Sequence, residues 1–164
     1  MTFGIRGLVI SVFILSGAAH ATESQKTMSS AEKTEYDAQV RNANDKNNGS
    51  VTDMKFYCGF TVPVSFTPEI VSVWSARNES GADYCNHVRL GLSAFCKEGD
   101  PAGKEARKKL LMAKIKKINC SVASEPKAIQ VSFKDGTLNC KMGSKMNDND
   151  IAGVVAEYVQ KSLH

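Results

Sequence analysis

The chain has 164 residues, 42% of them hydrophobic, with 21 basic against 17 acidic side chains and a formal charge of +4. That length suits one domain with an apolar core and leaves little room for a second. The charge is far too mild for a nucleic-acid binder, and no apolar stretch approaches the length of a membrane span, so no transmembrane anchor is expected.

Residues 1–21 read as a secretory signal peptide that is removed on export. Arg6 and the amino terminus supply positive charge and an apolar run follows over 7–15. Ala19, His20 and Ala21 then form an A-x-A site that puts the cut before Thr22. Such a leader implies a secreted or periplasmic protein whose cysteines meet an oxidising compartment. Residues 22–50 are rich in Ser, Asn, Lys, Glu and Ala and nearly lack large aliphatics. They read as a flexible polar N-terminal segment with nascent helix over 31–40, ahead of a single α+β domain over 51–164. Asp45 to Gly49 has the composition of a calcium loop, but its glycine comes one residue early and no bidentate glutamate follows at the required distance. The stretch reads as a polar linker.

From Phe60 the chain alternates, with Phe60, Val62, Val64 and Phe66 on one side, which is the period of a half-buried strand; Pro63 assigns it to a sheet edge. Thr67 and Pro68 then open a short helix carrying Ile70, Val71, Val73 and Trp74. A longer helix over 82–97 lines up Cys85, Val88, Leu92, Phe95 and Cys96 in one stripe, so both cysteines face the core. Gly99 ends it, and Asp100 with Pro101 starts the next helix, in which Ala106, Leu110 and Leu111 are expected to be buried.

Three alternating strands follow, with Ile118, Cys120 and Val122, then Ile129, Val131 and Phe133, then Leu138, Cys140 and Met142 on their dry sides. Asp135-Gly136 is a strong hairpin signal between the last two. A final helix has Ile151, Val154, Val155, Tyr158, Val159 and Leu163 on one face, with Asp148 and Asp150 at its positive end. These elements predict an antiparallel β-sheet with one face covered by about three helices and stapled by disulfides.

Five cysteines in an exported domain favour two disulfides and one odd thiol. Cys85 and Cys96 share a helix face but lie about 16 Å apart, too far to bond to each other. If the two middle helices form a hairpin, Cys96 pairs with Cys120 and Cys58 with Cys85, which leaves Cys140 as the free thiol. There is no C-x-x-C pair. His87 points away from Cys85 on the helix, so neither a cysteine nucleophile nor a zinc site is indicated, and no cofactor is expected. Asp148 and Asp150 are explained by the helix end.

The window 101–117 carries Lys104, Arg107, Lys108, Lys109, Lys114, Lys116 and Lys117 against Glu105 alone. Aromatics are not interleaved with them, so stacking on bases is not indicated; Trp74 and Tyr84 are the nearest candidates for an aromatic anchor. No catalytic motif is visible, which weighs against an enzyme. The sequence favours a small exported binding or inhibitor-like protein that recognises a macromolecule, a protein or an anionic envelope polymer, through the basic face. Two alternatives are an envelope hydrolase using carboxylates and a structural envelope component cross-linked through its odd cysteine.

Overall fold

The computed structural model describes residues 28–76 and 79–163, so the leader read over 1–21 lies outside the described residues. In chain order the elements are α1 (Ser30–Ala43), α2 (Gly49–Cys58), β1 (Val64–Phe66), α3 (Pro68–Ser75), α4 (Gly81–Lys97), α5 (Pro101–Lys114), β2 (Lys117–Val122), β3 (Ile129–Lys134), β4 (Thr137–Met142) and α6 (Asp148–Ser162). The class is α+β, with one sheet and a helical layer on its apolar face.

The sheet is not the antiparallel one expected. Its order is β1-β2-β4-β3, β2 runs parallel to both β1 and β4, and the β3–β4 hairpin is the antiparallel pair. Alternation along a strand reports one dry face and one wet face and is silent on direction. Direction is set by the connections. Three helices carry the chain from β1 back to the start of β2, which makes that pair parallel. After β2 the chain skips one sheet position, and the hairpin turn brings β4 back into the gap. That turn holds Asp135 at φ 49° and Gly136 at φ 77°, the left-handed pair a tight primed turn requires. Strand β1 is also shorter than the alternation implied: Phe60 and Val62 precede it, and the carbonyl of Pro63 still accepts Ile118 N at 2.9 Å.

From Ser30 on, the segment read as a flexible lead over 22–50 holds helix α1 and the first two residues of α2, and both helices pack against α4. Ser29 and Glu32 form a reciprocal capping box at the start of α1, and Asn48 caps α2 through Ser50 N at 3.0 Å. Helix α1 docks by polar groups. Tyr36 donates to the carbonyl of Phe66 at 2.9 Å, and Asn44 brackets Val64, accepting from its N–H at 2.8 Å and donating to its carbonyl at 2.9 Å. These side chains occupy backbone groups of β1 that β2 does not pair, which closes an edge otherwise open to other strands. Gln39 accepts from Ala82 N at 3.3 Å, satisfying an N–H at the start of α4.

Helix α4 is the spine of the core. It is buried on nearly every side and packs against α1, α2, α3, α5, α6 and β1. At Gly91 a Cβ would fall 2.6 Å from the carbonyl oxygen of Ala152 and 2.8 Å from Val155 Cβ, so α6 crosses here at glycine distance. On the opposite side Arg89, 1% exposed, donates all five of its N–H groups to neutral oxygens. Nε and Nη2 reach the Val62 carbonyl at 3.1 and 3.0 Å, Nη2 reaches Asn44 Oδ1 at 2.8 Å, and Nη1 reaches Asn86 Oδ1 at 3.0 Å and the carbonyl of Ala43. No carboxylate is among these partners. The carboxy-terminal end of α1, negative by its peptide dipoles, faces the cation instead. Burial lowers the guanidinium to about 10, so it remains charged at neutral pH.

Both disulfides use α4. Cys58, at the end of α2, bonds Cys96, and Cys85 bonds Cys120 on β2, with Cα separations of 5.4 and 6.1 Å. The pairs expected from the sequence are therefore exchanged. Helix α2 lies along α4 and delivers Cys58 to the carboxy-terminal end, while the amino-terminal end of α4 stands over β2. Cys140 is a buried free thiol. In the chain-entropy account, closing loops of 38 and 35 residues is worth roughly 4 kcal/mol each.

Candidate binding surface

Helix α5 starts at Asp100, whose carboxylate accepts from Gly103 N at 2.7 Å, with Pro101 in the first turn. It touches the body along a narrow line. Leu111 is its one buried residue, Leu110 is half-buried, and Ala106, expected inside, is exposed. The helix therefore turns most of its circumference, with its basic residues, toward solvent.

Those residues have different employments. Arg107 ties α5 to α4: its guanidinium donates to the Phe95 carbonyl and to Glu98, both at 3.2 Å, and lies 5.0 Å over the Phe95 ring. Lys104 and Lys108 are half-buried, and Lys109 sits 4.0 Å from Glu105 in an exposed pair of small energetic weight. Lys114, Lys116 and Lys117 are exposed at the far end, where Lys116 folds its ammonium onto the Met112 carbonyl at 2.6 Å.

At that end the structure adds residues that sequence reasoning left out. The N–H groups of Lys116 and Lys117 both donate to the Gly136 carbonyl, at 2.8 and 3.2 Å, which clamps the α5–β2 junction onto the β3–β4 turn. Register then places Lys117, Thr137 and Lys134 side by side across three strands. Lys114, Lys116, Lys117 and Lys134 thus gather at one corner.

The wet face of the sheet continues from this corner. Ser65, Asn119, Asn139 and Ser132 form one cross-strand row, and Ser121, Lys141 and Gln130 the next. Ser65 donates to Asn119 at 3.0 Å, and Asn119 donates to Asn139 at 3.3 Å. All of these side chains are half-exposed or exposed, and none of the positions in these rows is acidic. The signal for Lys134 and Lys141 was present in the alternation that sorted the strands; their nearness to the α5 lysines depends on strand order.

The other candidates are structural. Trp74 and Tyr84 are 0% and 7% exposed and pack on each other at 4.7 Å, so they offer no surface anchor. Cys85 is in a disulfide and offers no thiol to His87, whose Nδ1 lies 2.7 Å from the Asp83 carbonyl. Asn147 caps α6 and exchanges hydrogen bonds with Asp150. Among the described residues no group of three His, Cys, Asp or Glu side chains is arranged to hold a metal, and no helix is long and apolar enough to cross a membrane. A cleft of about 340 Å³ between α1 and α3 has Tyr36, Pro68 and Val71 among its lining residues, with Glu32, Glu35 and Glu69 alongside, and none of the lysines lines it.

No protein-family model, curated protein or solved structure matches the chain. The functional reading accordingly rests on these residues.

Proposed function

We propose that the protein is a small exported, non-enzymatic binding protein whose lysine corner and open sheet face hold an anionic macromolecule. The supporting observation is the clamp of Lys116 and Lys117 onto Gly136, which gathers Lys114, Lys116, Lys117 and Lys134 beside a sheet face that carries Lys141 and no carboxylate in its rows. Like charges held together on a rigid scaffold favour a polyanion over a single small anion, because the repulsion among them is relieved by a partner of repeated negative charge. The Asn, Ser and Thr side chains between the lysines supply neutral donors and acceptors for its polar groups. Two disulfides suit an oxidising extracellular or periplasmic setting.

Retention on immobilised dextran sulfate, read as the salt concentration needed for elution, tests the reading. Charge reversal of Lys114, Lys117 and Lys134 together is expected to lower that concentration well below the wild-type value, while reversal of Lys104 and Lys109 lowers it less. Equal elution of wild-type and triple-variant proteins rejects the lysine corner as the binding surface.

A further inference from the structure

Three buried cysteines meet on the apolar side of the sheet, two of them as neighbours on adjacent strands. Cys120 on β2 and Cys140 on β4 are register partners in a parallel pair, so both side chains leave the same face of neighbouring strands. Adjacent strands stand about 4.8 Å apart, inside the range of Cα separations that disulfides span. Cys120 already bonds Cys85 of α4. Cys85 Sγ lies 3.9 Å from the Ser65 carbonyl, which places it toward β1, on the side of β2 away from β4. Cys120 therefore stands between a bonded sulfur on one side and a thiol on the other. Thiol–disulfide exchange passes through such a line, with the entering and leaving sulfurs on opposite sides of the one attacked.

We propose that Cys120 is a shared half-cystine, so that the oxidised domain has two disulfide isomers, Cys85–Cys120 and Cys120–Cys140. In the exchange the Cys140 thiol gives up its proton to hydroxide of the entering solvent, its thiolate attacks Cys120 Sγ, the Cys120–Cys140 bond forms and the Cys85–Cys120 bond breaks. Cys85 leaves as a thiolate and takes a proton from solvent. The number of disulfides is unchanged and no oxidant is consumed. The second isomer removes the covalent tie between α4 and the sheet while Cys58–Cys96 still joins α4 to α2.

What restrains the exchange is burial. Cys140 is 0% exposed, and burial pushes its thiol up to about 12, so the thiolate is scarce at neutral pH. Water must reach β4 before the sulfur ionises. The isomerisation is thus coupled to opening of the core between α4 and the sheet, and it leaves a covalent record of that opening.

The test uses the whole oxidised domain. The protein is held at mildly alkaline pH in urea raised stepwise toward its unfolding midpoint, quenched with N-ethylmaleimide, then unfolded and digested with trypsin. Arg89, Lys117, Lys127 and Lys134 put Cys85, Cys120 and Cys140 on separate peptides. The expected product below the midpoint is a pair of peptides linked through Cys120 and Cys140, with the maleimide on Cys85. In Cys140→Ala, labelling of Cys85 is expected to fall by at least about tenfold. Cys85→Ser refolded with oxidised glutathione is expected to form Cys120–Cys140 and retain no free thiol. If that variant fails to fold, the comparison of wild type with Cys140→Ala decides alone. Labelling confined to Cys140 at every step below the midpoint, or labelling of Cys85 that is equal with and without Cys140, overturns the proposal.

Discussion

Replacing Arg89 with methionine separates the two opposing effects of a buried cation that has no anionic partner. The substitution keeps a long apolar stem and removes five donors. Asn44 Oδ1 retains Val64 N, but the carbonyls of Val62 and Ala43 and the buried Asn86 Oδ1 lose the guanidinium they accept from. The Asn86 amide can turn toward another partner but the carbonyls cannot, and each orphaned buried acceptor costs about 1–3 kcal/mol, or about 2–6 kcal/mol for the two carbonyls. Against this, the variant no longer strips water from a charge, a relief that makes some buried ion pairs replaceable by apolar residues at no net loss. Two of the acceptors are main-chain carbonyls that no substitution removes, so their orphaning outweighs the relief and a net destabilisation of about 2–4 kcal/mol is expected. Urea unfolding can be followed by the fluorescence of Trp74, the single tryptophan, which is fully buried. With a denaturant slope of about 2 kcal/mol per molar, the midpoint should fall by about 1–2 M. Amide exchange should speed up first in α1, whose last turn Arg89 holds. A midpoint that moves by less than about 0.3 M refutes the reasoning, because desolvation of the guanidinium would then cancel its hydrogen bonds.

Gly91→Ala places a methyl group against the Ala152 carbonyl and Val155, so α6 must shift; a loss of about 1–3 kcal/mol is expected in the same urea assay, and an unchanged midpoint would show that the crossing is loose. Cys140 makes the alkaline limb of stability steeper. Its thiol, ordinarily near 9, is held protonated to about 12 by burial, so above about pH 9 the unfolded chain releases a proton that the folded chain keeps. Stability present below that pH is lost as pH rises, at roughly 1.4 kcal/mol per unit toward pH 12. Cys140→Ala should show a shallower decline by that amount, and parallel curves for the two proteins contradict the assignment.

The elements with a continuous apolar stripe were legible from sequence alone. Helix α4 follows its Cys85, Val88, Leu92 and Phe95 face, and α6 buries Ile151, Val155 and Val159 with Leu163 just past its end, although Val154 from the same stripe is 37% exposed at the margin. Helix α1 was visible only as nascent helix over 31–40, and its docking was not legible, because it attaches through Tyr36, Gln39 and Asn44 to backbone groups, and such bonds leave no hydrophobic period. Helix α2 has a stripe in Val51, Met54 and Cys58, but the stripe is one residue wide and the helix itself, Gly49–Cys58, crosses the boundary drawn at residue 50. Missing α2 misplaced Cys58, and with it the pairing of the other three half-cystines. Sheet order was out of reach for a different reason: the short connection from β2 to β3 fits a neighbouring or a skipped position equally well. In the candidate surface, the lysines of 101–117 were visible as a run. Their junction with Lys134 and Lys141 depends on that sheet order.

The bridges interlock along the chain, since Cys85 falls between Cys58 and Cys96 while Cys96 falls between Cys85 and Cys120. A single backbone scission anywhere from residue 58 to residue 120 therefore leaves every fragment tethered to the rest. Sequential pairs, 58 with 85 and 96 with 120, would have let a cut in the middle of α4 release two halves. In surroundings that contain proteases, this crossed arrangement lets a nicked molecule stay one molecule, with its surviving packing free to draw the broken ends together again.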